Sequence, residues 1–260
     1  MPFTLATWNV NSLRQRLPQV LDWLRRVRPD VLAIQETKLS DHEFPVMAFA
    51  EIGYQPLING QKGYNGVALI ARHRMSRPVT ELPGDPDDLQ RRLLGAACGP
   101  LYLLNLYVPN GSEVGSDKYR YKLSWLERLH LFTAELLRRE AHLVLLGDFN
   151  IAPADEDVHD PAAWQGKVLV SEPERQALRD LLALGLEDCF RRFDQPPGSY
   201  SWWDYRGGAF ERNDGLRIDL ILASAGLAAA CSECRIDTRP RALEGPSDHA
   251  PVVATFDLHS

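Results

Sequence analysis

The sequence predicts an α/β sandwich in which two packed mixed β-sheets are flanked by helices. Near-continuous apolar runs such as Leu143-Val144-Leu145-Leu146 read as strands buried on both faces, and such strands need a covering layer on each side. Strand-like segments outnumber helical ones. Their order is not a strict β-α-β alternation, which favours mixed sheets over a purely parallel one.

Taken in order, strands are expected at residues 3–9, 31–35, 66–71, 93–98, 101–108, 143–147, 217–222 and 251–256. Between them, Leu17, Val20, Leu21, Leu24 and Val27 recur at helical spacing, with Pro18 near the start and Pro29 just past the end. Leu126, Leu129, Phe132 and Leu136 mark a longer helix. Ser171-Glu172-Pro173-Glu174 reads as a capping box, and Gly185 as the stop of the helix it opens. No repeat, low-complexity tract or linker interrupts the chain, so residues 1–260 are expected to form one domain. Residues 83–88 and 194–198, rich in Pro, Gly and Asp, read as surface loops.

With 260 residues, 45% hydrophobic and 25% charged, the chain carries ample apolar material for a full core. Disordered, collagen-like and disulfide-scaffold classes do not fit. No stretch approaches the ~18 apolar residues of a membrane span, and the first eight residues lack the basic region of a signal peptide. A soluble, cytoplasmic protein is expected. The four cysteines suit a reducing compartment, and Cys231-Ser232-Glu233-Cys234, a lone CxxC without nearby histidines, reads as packed thiols. The net charge of −6 argues against a non-specific polyanion binder. It leaves room for a nucleic-acid enzyme whose acids hold metal while local basic loops meet phosphate.

Polar residues recur at the ends of the apolar runs. Trp8-Asn9-Val10-Asn11, Gln35-Glu36-Thr37-Lys38, Tyr107-Val108-Pro109-Asn110 and Gly147-Asp148-Phe149-Asn150 each follow one, and Ser247-Asp248-His249 precedes the last. Singly, an Asn or Asp after a strand is a turn former. Asp219 is harder to explain so, because an ionised carboxylate between Ile218 and Leu220 is costly unless paired or facing a site. Strand ends on one edge of a sandwich converge, so these groups can share a cleft. Oxygen donors without a Cys/His cluster select a hard cation, Mg²⁺ or Mn²⁺, over zinc. Such a cation suits phosphoryl chemistry by offsetting charge on the phosphate and leaving oxygens. Asp148 is placed to accept a water proton, His249 held by Asp219 to stabilise the transition state, and Asn9, Asn150 and Tyr107 to orient water or phosphate. Competing templates (G-x-S-x-G, the P-loop, G-x-G-x-x-G, H-E-x-x-H) are absent from the sequence. Ser247-Asp248-His249 is no hydrolase triad, since consecutive strand residues point to opposite faces.

These motifs, in this order from Leu5 to Phe256, resemble the exonuclease III family of apurinic/apyrimidinic (AP) endonucleases, within the endonuclease/exonuclease/phosphatase superfamily. To them are added Lys62-Gly63-Tyr64-Asn65-Gly66, the aromatic loop Tyr200-Ser201-Trp202-Trp203-Asp204-Tyr205-Arg206, and Gly215-Leu216-Arg217-Ile218-Asp219. The resemblance implies a four-layer, DNase I-like fold and a Mg²⁺- or Mn²⁺-dependent DNA repair nuclease. Such an enzyme cuts 5′ to abasic sites in double-stranded DNA and cleans 3′ ends as an exonuclease and phosphatase, as a monomer. It implies catalytic roles for Tyr107, Asp148, Asn150, Asp219 and His249. Metal ligation falls chiefly to Glu36, with Asn9, Asp148, Asn150, Asp248 and His249. Substrate contacts fall to Asn11, which stands where some members carry an acid, and to Asn110, Lys118 and Arg206. Trp202, Leu216 and Ile218 would line an apolar pocket that accepts a sugar without its base. One of Trp202 and Trp203 is expected to pack inward, since the two alternate faces.

Arg14, Lys38, Lys62, Arg120, Lys122 and Arg212 join Lys118 and Arg206 as candidates to track the DNA backbone. Two alternatives stay open: another metal-dependent phosphodiesterase or phosphatase of the superfamily, and a non-catalytic nucleic-acid-binding regulator on the same fold.

Overall fold

The structure, a computed structural model, describes residues 2–258. Along the chain the strands are β1 (Pro2–Asn9), β2 (Val31–Gln35), β3 (Gln55–Asn59), β4 (Val67–Ala71), β5 (Met75–Val79), β6 (Leu93–Cys98), β7 (Leu101–Tyr107), β8 (Leu143–Asp148), β9 (Leu186–Asp188), β10 (Trp202–Trp203), β11 (Gly215–Leu216), β12 (Asp219–Ser224), β13 (Cys231–Ile236) and β14 (Val252–Asp257). The helices are α1 (Leu13–Val27), α2 (Val46–Ala50), α3 (Asp117–Leu137), α4 (Pro161–Trp164), α5 (Glu172–Ala183), α6 (Ala209–Arg212) and α7 (Ala225–Ala228).

The strands form two six-stranded sheets, ordered β13-β14-β1-β2-β4-β3 and β5-β6-β7-β8-β12-β9, beside a small β10-β11 ribbon. Both sheets are mixed. In the first, β1 runs parallel to β2 and antiparallel to β14. In the second, β7 runs parallel to β8, which is antiparallel to β12.

Side-chain alternation builds the layers. Leu5, Val31, Ala33, Leu69, Leu94, Leu103, Val144, Leu146, Ile221 and Ala254 meet between the sheets. The intervening residues of the first sheet, among them Ala6, Trp8, Leu32, Ile34 and Ile70, pack on Leu13, Val20, Trp23 and Leu24 of α1 and Phe49 of α2. Those of the second, among them Leu104, Leu106, Leu145, Leu220 and Leu222, pack on α3 and α5 through Trp125, Leu126, Leu129, Leu178 and Leu181. The order helix, sheet, sheet, helix is the expected four-layer sandwich.

The central strands lie where the apolar runs place them, to within a residue or two at their ends. The sequence reading misses β3, β5, β9 and β13, which are the edges of the two sheets. An edge strand lacks a neighbour on one side and carries polar residues and prolines that blunt further pairing. Met75-Ser76-Arg77-Pro78-Val79 illustrates this, with its three middle residues exposed.

All four cysteines are free and buried. A register shift between Cys231 and Glu233 lets Cys231 and Cys234 both face the inter-sheet core, so the CxxC consists of packed thiols. Helix α5 opens on the Ser171/Glu174 capping box and stops before Gly185, whose φ is 104°. Among the described residues no helix is long and apolar enough to cross a membrane.

Candidate active site

Between the sheets, the inward-facing rows change character toward one end. Apolar side chains give way to Thr7, Gln35 and Asn105, all fully buried. Gln35 Nε2 donates to Thr7 Oγ1 (2.9 Å) and Asn105 Oδ1 (2.7 Å), and Asn105 Nδ2 donates to the carbonyls of Ile34 and Ala68. One step further out the same rows end in Asn9 on β1, Tyr107 on β7, Asp148 on β8 and Asp219 on β12. Strand register sets the last three abreast, Tyr107 opposite Asp148 and Asp148 opposite Asp219. The close approach of β8 to β7 requires Gly147, since a Cβ there would lie 1.9 Å from the Leu106 carbonyl oxygen.

Two buried acids and an imidazole form the centre. His249 Nδ1 lies 2.9 Å from Asp219 Oδ2, and its Nε2 lies 3.7 Å from Asp148 Oδ2. His249 is fixed by its backbone: its carbonyl accepts from Trp8 Nε1, and its N–H donates to Ser247 Oγ. Asp219 also accepts from Ser201 Oγ at 2.7 Å, while Ser201 Oγ accepts from the Ile218 and Asp219 N–H groups. Asp148 accepts from Asn9 Nδ2 and from the Asn150 N–H, both at 2.9 Å.

Glu36 follows β2 at a left-handed φ of 53°. This breaks the strand alternation and turns its carboxylate onto the inward row. There Glu36 Oε1 accepts from Tyr107 OH and Asn9 Nδ2, each at 2.9 Å, and Oε2 pairs with Lys38 Nζ at 3.0 Å. Asn9 Nδ2 therefore bridges Glu36 and Asp148, and its Oδ1 is taken by the Asn11 N–H. The Asn11 amide joins Lys38, Tyr205 and Asp248. Asn150, also left-handed at φ 49°, accepts from Asn110 Nδ2 and donates to the Val108 carbonyl.

Burial raises Asp148 to about 7, against the pull of His249. For His249 burial works downward, but the Asp219 and Asp148 carboxylates overcome it and push the imidazole up to about 10. Burial also raises Glu36, but the Asn9 hydrogen bond and the Lys38 ammonium outweigh it and hold the group below its ordinary value. Burial, with Glu36 and Asp148, raises Tyr107 well above the usual phenol range, leaving a neutral hydrogen-bond donor at neutral pH.

Among the described residues, one set of three His/Cys/Asp/Glu side chains brings its donor atoms within 4.8 Å of one another: Asp148, Asp219 and His249. Asp219 Oδ1 in this set is buried without a hydrogen-bond partner. Glu36 and Asp248 fall outside it. The Asp248 carboxylate instead accepts from Asn11 Nδ2 (3.1 Å) and Trp202 Nε1 (3.0 Å).

Trp202, Leu216 and Ile218 gather in one apolar cluster with Ala152, Val158, Leu169 and Val170. Trp203 packs inward and Trp202 keeps an exposed face. Leu216 and Ile218 are solvent-inaccessible, and Leu169, at φ 76°, is buried in the same cluster. Asn110 and Lys118 line a flanking cavity of about 250 Å³ with Arg92. Arg14, Arg16, Lys38 and Lys62 line another, of about 630 Å³, beside Asn11. Arg206 is exposed on the turn after Tyr205, its N–H bonded to Asp204. Arg120 and Arg212 pair with their neighbours Asp117 and Asp214.

Lys122 corrects the sequence reading. It is fully buried and paired with Glu174, so it cannot track a nucleic-acid backbone. Its signal was present: Tyr119, Lys122, Leu126 and Leu129 share the buried stripe of α3. Ser201 was missed as well, and a small hydroxyl between aromatics carries no periodic cue.

A family model for the endonuclease/exonuclease/phosphatase family matches residues 6–249. A 3′ phosphatase from Neisseria, solved bound to a product DNA hairpin, superposes with a TM-score of 0.97 at 46% identity, covering 98% of this chain and all of that one. An AP endonuclease from Archaeoglobus fulgidus superposes with a TM-score of 0.94 at 40% identity over the same shares. Exodeoxyribonuclease III of Haemophilus influenzae is 34% identical over 96% of this chain and 98% of its own length. The chain belongs to the endonuclease/exonuclease/phosphatase family.

Proposed function

We propose that this family member is a divalent-metal-dependent DNA repair hydrolase. Its reactions are cleavage of the phosphodiester 5′ to abasic sites in double-stranded DNA and removal of nucleotides and phosphates from 3′ ends. The single observation that carries this reading is the buried chain Asp219–His249–Asp148 set beside Glu36 and Tyr107, an oxygen-rich donor set. The full-length likeness to a 3′ phosphatase, an AP endonuclease and an exodeoxyribonuclease III supports the substrate class. We take residues 1–260 as one catalytic unit acting as a monomer in the cytoplasm.

The residues fit a hard cation. Carboxylate oxygens dominate, and the orphaned Asp219 Oδ1 is a buried acceptor that a cation or its water would satisfy. Glu36 would be the principal ligand, with Asp148 and Asp219 as adjoining oxygen donors, while His249, both of whose ring nitrogens face carboxylates, stays a hydrogen-bond donor; Mg²⁺ or Mn²⁺ suits such an oxygen set. When bound, the ion offsets negative charge on the phosphate. The other work falls to the chain itself. Asp148 accepts the proton of the attacking water. Asp219 holds Nδ1 of His249, so that Nε2 donates to a phosphate oxygen as charge builds there. Tyr107 and Asn150 supply neutral donors, and the basic residues flanking the cleft hold the DNA backbone.

Of Trp202, Leu216 and Ile218, only Trp202 keeps an accessible face able to meet a sugar.

Two duplexes test the reading, one with an internal abasic analogue and one with a nick bearing a 3′-phosphate. Each is incubated with Mg²⁺ or with EDTA. A metal-dependent cut 5′ to the analogue and metal-dependent phosphate release are expected, and absence of both would sink the proposal. For the metal, Glu36→Ala is expected to weaken Mn²⁺ binding by at least ~10-fold in titration calorimetry, the lower end of what losing a partner around a metal costs. Unchanged affinity would remove Glu36 from the ligand set.

A further inference from the structure

Behind the catalytic loops lies a charge that the chemistry above does not use. Lys122 on α3 and Glu174 on α5 are both fully buried. The Lys122 ammonium has three donors and spends them on three acceptors: the Asn110 carbonyl (3.1 Å), the Asn150 carbonyl (2.6 Å) and Glu174 Oε1. Glu174 in turn accepts from the N–H groups of Leu169 (3.0 Å) and Ser171 (3.2 Å) and from Ser171 Oγ.

Stability alone is a weak reason for such a pair. Two desolvated charges are often no better than well-packed apolar residues of the same volume. The ammonium, however, joins the two segments that follow β7 and β8, whose side chains Asn110 and Asn150 also bond each other at 3.2 Å. The Asn150 N–H is bonded to Asp148. Asn150 sits at a left-handed φ of 49°, a conformation that the surroundings must hold in place.

We propose that the Lys122–Glu174 pair is a positioning device, clamping the Asn110 and Asn150 segments by their carbonyls so that Asn150 and Asp148 keep the geometry of the hydrolytic step. This rests on the hydrolase reading above.

Three proteins are compared on the nicked 3′-phosphate duplex: wild type, Lys122→Met, and Lys122→Met with Glu174→Gln. The second substitution removes the stranded charge and keeps the capping box, which accepts Gln as well as Glu. Lys122→Met is expected to melt lower than wild type, and the double variant to regain most of that loss. Both are expected to show kcat reduced ~10- to 10²-fold, the scale of a displacement of about an ångström near the reaction, with the DNA KM changed less than ~3-fold. If kcat returns with the melting temperature in the double variant, or if KM alone moves, the pair is only structural and the proposal is overturned. A double variant that stays as unstable as Lys122→Met also overturns it, because the pair would then hold the fold itself. An inactive wild type would sink the hydrolase reading instead, whatever the variants do.

Discussion

Asp148→Asn is expected to lower the single-turnover rate on either duplex by at least ~10²-fold, the scale of losing a positioned general base. The amide matches the carboxylate in shape but cannot take a proton from water. Its remaining oxygen can keep the bond from the Asn150 N–H. Its new NH₂ group meets the Asn9 Nδ2 donor, so circular dichroism is needed beside the rate to show that the variant is folded. Burial holds Asp148 near 7 in the folded chain, above the ~3.9 of an unfolded aspartate. Ionisation therefore opposes folding, and its cost grows from about pH 4 until it levels off above about pH 7. In EDTA, the wild-type melting temperature should fall more between about pH 5 and about pH 8 than that of the Asn variant, which lacks this ionisation. Near-wild-type turnover would remove Asp148 from its assigned role.

His249→Ala is expected to cost at least ~10²-fold in the same assay, as for loss of a preorganised donor at developing charge. The imidazole lies between Asp219 at 2.9 Å and Asp148 at 3.7 Å, so its removal also leaves two buried acids without the cation between them. Circular dichroism should report an intact fold. The loss should appear in the chemical step rather than in DNA affinity, because the ring is buried behind the basic rim. A variant whose defect lies wholly in KM would contradict this.

Much of this centre was legible in the sequence because the grammar of strands made it so. Asn9, Tyr107, Asp148 and Asp219 each stand where an apolar run meets a polar residue, and runs buried on both faces forced a two-sheet sandwich in which such ends converge. Asp219 stood out on solvation grounds alone, flanked by Ile218 and Leu220. Other features depend on contacts that no local pattern encodes. The edge strands β3, β5, β9 and β13 lack an apolar run. Ser201 is an ordinary serine until the fold places its hydroxyl 2.7 Å from Asp219. Lys122 lay on the apolar stripe of α3 but reads as a surface cation, because its partner Glu174 is 52 residues away. Trp202, Leu216 and Ile218 are grouped only through the family resemblance, whereas the burial of Leu216 and Ile218 is a matter of packing.

The graded rows between the sheets have a wider consequence. On β1, β2 and β7 hydrocarbon gives way to Thr7, Gln35 and Asn105 before the mouth, whereas on β8 and β12 Leu146 and Ile221 stand directly behind Asp148 and Asp219. Gln35 and Asn105 border the charged tier on one side only, and on the other it meets hydrocarbon, where burial raises Asp148. Rearranging the connecting loops can thus alter what enters the mouth, while the interior two residues deeper stays untouched.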